Sequence, residues 1–131
     1  MSSSSNKIVL KSSDGEIFEM EEYEARISAT ITNMIEVECA KPFIPILNVT
    51  GDILSKVIEY CQKHANTAND DDALRLFDNE FIDMDIAPLA NLADAAEYLD
   101  IRSLQRLSCK TLNNKLNKLK KLKDREQNKI E

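Results

Sequence analysis

The side chains best suited to nucleophilic or metal chemistry are three cysteines and a single histidine, and they are spread along the chain. Cys39, Cys61 and Cys109 lie too far apart in sequence to form a Cys-x-x-Cys pair. Structural zinc sites draw four ligands from such close pairs, so no zinc set is indicated. Cys61 and Cys109 fall on predicted helices, where packing roles are expected for both thiols. His64 lies near a helix end, which favours a surface or capping role over that of a catalytic base.

Phosphate and calcium sites are not indicated either. The chain has two glycines, Gly15 and Gly51, so it contains no glycine-rich loop that would cradle a phosphate. Residues 70–72 are three consecutive aspartates, but they lack the glycine and glutamate spacing of a calcium loop. We therefore predict no catalytic residue, no metal and no cofactor.

Charge is distributed unevenly. Residues 110–131 carry a net charge of +5, residues 1–109 carry −11, and the whole chain carries −6. An acidic body disfavours nucleic acid, and no apolar run approaches the ~20 residues of a membrane span. The N-terminus lacks the regions of a secretory signal, and the odd, widely spaced cysteines favour reduced thiols. We predict a protein of the nucleus and cytoplasm, whose basic end either contacts an acidic partner or is a solvated helix face.

Residues 7–19 predict a β-hairpin. Ile8 and Leu10 alternate with residues of the other face, which is the period of a strand with one buried side. Asp14 and Gly15 supply the turn, because glycine tolerates the positive φ that tight hairpins require. A return strand follows the turn.

The rest of the first half contains two main helices. Ser28 is placed to cap a helix that ends near residue 38, before Pro42 and Pro45 prevent its continuation. A short strand is predicted over residues 46–49, and Thr50 then caps a second helix. The apolar residues at helical spacing in that helix are Ile53, Leu54, Val57, Ile58 and Cys61.

The second half is predicted to be helical apart from its loops. Residues 65–72 are polar and read as a disordered surface loop, and helices follow over 73–82 and 86–99. The second of these has a narrow alanine-rich face suited to close packing. Asp100 is placed to cap a last helix that continues without a breaker to the end of the sequence. Its exposed apolar face holds Leu112, Leu116, Leu119 and Leu122.

Two strand pairs and five or six helices indicate an α+β domain, in which a cluster of helices packs on a small sheet. With 131 residues, of which 43% are hydrophobic, the chain is long enough for one modest core. The predicted organisation is a disordered N-terminus over residues 1–6, one domain over 7–109, and a long basic amphipathic C-terminal helix over 110–131.

Four segments, in order and at plausible spacing, resemble the S-phase kinase-associated protein 1 family, the adaptor subunits of SCF ubiquitin ligases. The first is Ser-Ser-Asp-Gly-Glu-Ile-Phe-Glu at 12–19, and the second spans 46–64 and ends in Val-Ile-Glu-Tyr-Cys-Gln-Lys-His. The third is Phe-Asp-Asn-Glu-Phe-Ile-Asp-Met-Asp at 77–85, with phenylalanine where the family usually has tryptophan. The fourth is Ala-Ala-Glu-Tyr-Leu-Asp-Ile-Arg-Ser-Leu at 95–104.

The resemblance implies a BTB/POZ-type fold and an adaptor that performs no chemistry. One face would bind the N-terminal region of a cullin, and another would bind the F-box of a substrate receptor in ubiquitin-dependent protein degradation. Carried over to this sequence, the cullin interface comprises Met34, Phe43, Glu97 and Tyr98. The F-box interface comprises Leu104, Leu107, Thr111, Leu112 and Leu116.

Two departures from the family pattern affect these expectations. Glu97 replaces the usual asparagine, so cullin binding is expected to be weakened or retuned. The family's Gly-Lys-Thr-Pro-Glu-Glu-Ile-Arg segment and the helices after it have no counterpart beyond residue 112. We therefore expect most of the F-box surface to be missing, and F-box binding to be weak or selective.

The alternatives are a self-associating BTB/POZ scaffold and a shortened paralogue without a ligase role. The C-terminal leucines need a covering partner, because a soluble monomer rarely exposes so long an apolar stripe. Three partners remain open at this stage: a groove of the domain itself, an F-box-type helix, or a second copy of the chain in a weak homodimer.

Overall fold

The computed structural model describes residues 7–37, 43–67 and 70–130, with side chains up to residue 125. Three strands and six helices lie in these ranges. The strands are β1 (Lys7–Lys11), β2 (Ile17–Glu21) and β3 (Ile44–Pro45). The helices are α1 (Glu22–Ala25), α2 (Ala29–Val37), α3 (Gly51–Asn66), α4 (Asp71–Phe81), α5 (Ile86–Tyr98) and α6 (Arg102–Ile130). The predicted α+β class, small sheet and long C-terminal helix are confirmed; residues 1–6, predicted to be disordered, lie outside the described ranges.

The sheet has the strand order β2-β1-β3. Strand β1 pairs antiparallel with β2, with Leu10 opposite Phe18, and parallel with β3, with Leu10 opposite Ile44. Gly15 has a φ of +90° in the connecting turn, a conformation that glycine adopts without strain. The predicted hairpin is therefore confirmed, and its buried face contributes to the core.

The core lies between this sheet and the helices, with α3 and α5 in contact at its centre. The alanine-rich face of α5 is buried as predicted, with Ala93 and Ala96 in the interior. Each fully buried large aliphatic side chain contributes about 1.5–3 kcal/mol relative to exposure. The largest fully buried side chains include Tyr60, Leu10, Ile46, Leu54, Leu89, Leu92 and Leu104.

The third strand lies two residues earlier than predicted. Strand β3 occupies Ile44–Pro45 rather than residues 46–49, which form an irregular segment with a turn. Ile46 and Val49 are both buried in this segment. Strand β1 ends at Lys11, however, so a neighbour beyond Pro45 has no strand to pair with, and only isolated backbone bonds such as Ile46 N to Lys11 O (2.7 Å) continue the contact.

The N-terminus of α3 is capped from the hairpin, which corrects the prediction for Thr50. The Thr50 side chain makes no capping hydrogen bond. Instead, the amide of Gly51 donates to Oδ1 of Asp14 at 2.9 Å. The Ser12 hydroxyl also donates to this carboxylate. A turn residue 37 positions away thus satisfies a helix amide that would otherwise lack a partner.

Replacing Asp14 with alanine is expected to lower the thermal unfolding midpoint by a few degrees, because a cap and a tether between hairpin and α3 are lost. The hydrogen bonds from Ser12 and Gly51 hold the pKa of Asp14 below its usual 3.8. This stabilisation is therefore present above the unfolded-state pKa and is lost as pH falls through the lower folded-state value. Asp52→Ala in the first turn of α3 is the matched control. Equal midpoints for wild type and Asp14→Ala at neutral pH would contradict this role.

Two further helix ends differ from the predictions. The polar loop is shorter than residues 65–72, because α3 extends to Asn66 and Asp70 caps α4 by accepting from Ala73 N at 3.0 Å. Asp100 does not cap α6; it has a φ of +52° and ends α5. The amides of Asp100 and Ile101 donate to Glu97 O and Ala96 O, which is the hydrogen-bond pattern of a helix C-terminus closed by a left-handed residue.

Candidate protein-binding surfaces

The histidine and Cys61 serve the packing of α3. Nε2 of His64 lies 2.7 Å from Oδ1 of Asp78, which joins α3 to α4. The imidazole also stacks on Tyr60, with ring centroids 4.1 Å apart. Cys61 is buried, and desolvation raises its pKa to about 12. No cluster of three or more metal-ligating side chains occurs in the part of the chain that the structure describes.

Cys109 is exposed on α6, so the prediction that it packs between helices is wrong. Its position on α6 places it on the side turned away from the domain, whereas Ser108 beside it is fully buried. Cysteine is the more apolar of the two residues, which favoured Cys109 for the interior, but Ser108 lies four residues after buried Leu104 and so shares its inward face.

Iodoacetamide at pH 8 should therefore distinguish the two described thiols. In a Cys39→Ser variant of the native protein, we expect modification of Cys109 and no modification of Cys61. A thiol with a pKa near 12 is ionised in only about 1 molecule in 10,000 at this pH. Intact mass would show one adduct before unfolding and two after it. Two adducts at equal rates in the native state would contradict the burial of Cys61.

The first candidate surface is built where α2 begins against the end of α5. Ser28 caps α2 by accepting from Ile31 N at 3.0 Å, and its hydroxyl donates to Leu99 O at 2.5 Å. The Thr30 hydroxyl donates to Tyr98 O at 3.0 Å. The terminal carbonyls of α5, which have no partner within their own helix, are thereby satisfied by α2. Sequence reasoning found the cap at Ser28 but not these two contacts.

Three of the four residues assigned to a cullin interface lie around this junction. Glu97 is exposed and Tyr98 is half-buried at the end of α5. Met34 lies one turn beyond Thr30 on α2, half-buried against the core. We call Met34, Glu97 and Tyr98 the α2–α5 surface. Phe43 lies elsewhere, beside the sheet, with Nζ of Lys11 5.1 Å from its ring centroid.

The second candidate surface lies along α6, where burial decreases steadily. Leu104 has no exposed surface, so it packs within the domain and supports the helix rather than contacting a partner. Leu107, Thr111 and Leu112 are half-buried. The exposed fractions of Leu116, Leu119 and Leu122 are 45%, 51% and 55%.

Helix α6 extends past the body of the domain. It packs along α5 and is much longer, with 29 residues against 13. Nζ of Lys115 donates to Met84 O at 2.5 Å, just before α5 begins. The helix therefore runs from the C-terminal end of α5 back to its N-terminal end, and residues after 115 lie beyond it. We call residues 116–125 the projecting segment; its leucines continue the side of α6 that faces the domain.

An open groove of about 680 Å³ lies near the same end of the domain, between α3 and the α4–α5 connection. Its apolar surface comes from Ile53 and Met84, both half-buried, and Leu92 lies fully buried beneath them. A shallower extension follows α4 and shares Lys56, Asp83 and Met84 with it. Carboxylates line both parts: Asp52, Asp83 and Asp85 in the first, and Glu59 and Glu80 in the extension. We call the two together the acidic groove, which the sequence analysis did not predict.

The mixed three-stranded sheet and the cluster of helices packed on it are the architecture of a POZ-type domain. No helix in the described ranges is long and apolar enough to cross a membrane. The family model described as "Skp1 family, tetramerisation domain" matches residues 6–66.

Curated relatives extend the match over most of the chain. SKP1-like protein 1A of Arabidopsis thaliana is 45% identical over 120 residues, covering 83% of this chain and 75% of that protein. SKP1-like protein 7 of the same plant is 48% identical over 113 residues, covering 83% of this chain and 90% of the relative. SKP1-like protein 4 is 45% identical over 124 residues, or 86% of this chain. The chain belongs to the Skp1 family.

Proposed function

We propose that this protein is the adaptor subunit of an SCF-type ubiquitin ligase and links a cullin to an F-box substrate receptor. The observation that carries the proposal is its 45–48% identity to SKP1-like proteins over 83% of the chain. The adaptor holds two proteins together and performs no chemistry, which agrees with the structural roles of His64 and Cys61. It requires neither a cofactor nor a metal, and we place its action in the nucleus and cytoplasm.

The positions of the two surfaces support a linking role. The α2–α5 surface lies at the C-terminal end of α5, whereas the projecting segment begins at its N-terminal end. A helix of 13 residues is about 20 Å long. Two partners bound at these ends would contact the protein about 20 Å apart, through surfaces that share no residue.

The proposed cullin contact is centred on Tyr98. The Thr30 hydroxyl on α2 donates to the backbone carbonyl of Tyr98 at 3.0 Å, so the backbone that carries the ring is held by α2 as well as by α5. A half-buried tyrosine offers a large, rigid contact area at small entropic cost, which is typical of binding hot spots. Exposed Glu97 beside it places a carboxylate on the same surface, and its charge would select for a basic or hydrogen-bond-donating contact on the cullin.

The proposed F-box contact is centred on Leu112 and Leu116. They lie where α6 passes from the body of the domain into the projecting segment, so an incoming apolar helix would cover both. Leu107 and Thr111, half-buried and N-terminal to Leu112 on α6, would form the edge of this contact. Leu104 would not contact the F-box and would only support α6 from within the core.

Two separate binding measurements test the proposal. The purified protein is titrated with a cullin N-terminal domain and, independently, with a panel of F-box peptides, by calorimetry. We expect saturable binding of the cullin domain and of at least one F-box. Failure to bind any cullin at concentrations that saturate a known SKP1-like protein would overturn the linking role.

Self-association without a ligase role is the second candidate, and the exposed Leu116, Leu119 and Leu122 favour it. The two candidates differ in the cullin titration, which a scaffold without a ligase role would not saturate.

A further inference from the structure

The projecting segment is both apolar and basic. Leu116 and Leu119 lie on one side of α6, and Leu122 extends that side. Among residues 116–125 there are five basic side chains and one carboxylate. Lys118 and Lys120 flank the leucines, about 100° to either side of the leucine face. Such a surface fits an apolar groove with an acidic rim.

The acidic groove has the complementary properties. Its apolar surface is bordered by five carboxylates and one lysine, Lys56, whose Nζ lies 5.9 Å from the ring centroid of Phe81. Asp52, Glu59, Glu80, Asp83 and Asp85 are all exposed. No ion pair involves any of these five carboxylates within the described ranges. Their charge is therefore free to attract a basic segment.

The groove is not filled by the helix of its own chain. Within the described residues, no part of α6 lines it. Helix α6 touches its edge through Lys115 and Met84 and then leaves the domain as an uninterrupted helix. A straight helix cannot turn back into the groove beside it, so a helix that occupies the groove must come from another molecule.

We propose that the projecting segment of one copy lies in the acidic groove of a second copy, and that the second copy returns the contact. The segment and the groove lie at the same end of the molecule, so one two-fold axis forms both contacts and closes the assembly as a dimer. The partner is a second copy because its segment carries the matching charge and apolar face. The inference concerns how two copies meet, and it holds with or without a ligase role.

Charge also argues against two other ways of covering the projecting segment, by a second projecting segment or by an anionic membrane. A direct seam between two projecting segments would bring lysines on both helices close together, which is unfavourable. An anionic membrane would attract the segment but repel a body with a net charge of −11 over residues 1–109. In the acidic groove the lysines of the projecting segment face carboxylates, so neither of these repulsions arises.

A charge-swap experiment tests the proposal. Variant one carries Lys118→Glu and Lys120→Glu, and variant two carries Glu80→Lys and Asp83→Lys. All four positions are exposed, and circular dichroism with thermal unfolding verifies that both variants fold. Mass in solution is measured by sedimentation equilibrium for the wild type, for each variant alone and for their equimolar mixture, at low and high salt.

The wild type should dimerise at low salt, and its dissociation constant should rise about tenfold or more at high salt, because the charges are screened. Each variant alone should be monomeric, since like charges then face each other. The mixture should recover the dimer, because both contacts become complementary again. Dimerisation of variant two alone, at wild-type affinity, would show a helix–helix seam and overturn the proposal. A monomeric wild type at all concentrations, or a mixture that stays monomeric, would also overturn it.

Discussion

Leu116→Asp is expected to lower F-box affinity about 30-fold or more while leaving the fold intact. Covering the exposed part of the Leu116 side chain contributes roughly 1 kcal/mol. An aspartate would in addition have to lose its hydration in an apolar contact, at a cost of roughly 1 kcal/mol or more, and the two effects together correspond to about a 30-fold change in affinity. Because 45% of the Leu116 surface is exposed in the free protein, the substitution leaves no cavity in the core.

Leu122→Asp is the matched control for this experiment. It makes the same chemical change on the same helix, at a residue that is 55% exposed and lies farther along the projecting segment. F-box binding should be unaffected by it if the contact is centred on Leu112 and Leu116. Equal losses from both variants would show that the receptor contact lies farther out on α6, and no loss from Leu116→Asp would remove the assignment altogether.

Tyr98→Ala is expected to weaken cullin binding by a similar factor, about 30-fold, as a central aromatic contact worth roughly 2 kcal/mol is removed. The hydrogen bond from Thr30 goes to the backbone carbonyl of Tyr98, so alanine retains the junction between α2 and α5. Calorimetric titration with a cullin N-terminal domain measures the change. Thermal unfolding of the variant separates lost binding from lost stability, because the ring is half-buried.

Tyr23→Ala is the control for Tyr98→Ala. Tyr23 is exposed on α1, where its hydroxyl donates to Asn66 Oδ1 at 2.5 Å, away from the α2–α5 surface. Its replacement should leave cullin affinity unchanged. Wild-type affinity in Tyr98→Ala would remove this surface from the proposal.

Glu97→Asn restores the amide that the family pattern has at this position, and we expect it to strengthen cullin binding.

Local patterns in the sequence predicted most of the elements. Alternation and a glycine at a positive φ identify the hairpin, and helical periodicity identifies α3 to α6. These signals depend on neighbours within a few residues, which the sequence displays directly. The predictions failed where a distant partner decides the local structure. Asp14 replaces Thr50 as the cap of α3, and β3 ends where β1 can no longer pair with it.

The candidate surfaces were only partly predictable for the same reason. The leucines of α6 form one continuous stripe in the sequence, yet Leu104 is fully buried and Leu116 is exposed. That difference arises because α6 extends beyond the N-terminal end of α5, which would otherwise cover its leucines. The length of α5 relative to α6 cannot be read from the residues of α6 alone. The acidic groove was missed because its carboxylates come from α3, α4 and the connection to α5, and are brought together only by the fold.

Formation of a ternary complex tests the central proposal most directly. The protein is mixed with a cullin N-terminal domain and an F-box protein, and the mass of the complex is measured by light scattering during size-exclusion chromatography. We predict a single species with the summed mass of one copy of each component, which disappears when this protein is omitted. Two binary complexes that never combine, or cullin and F-box protein that elute apart in its presence, would contradict the linking role.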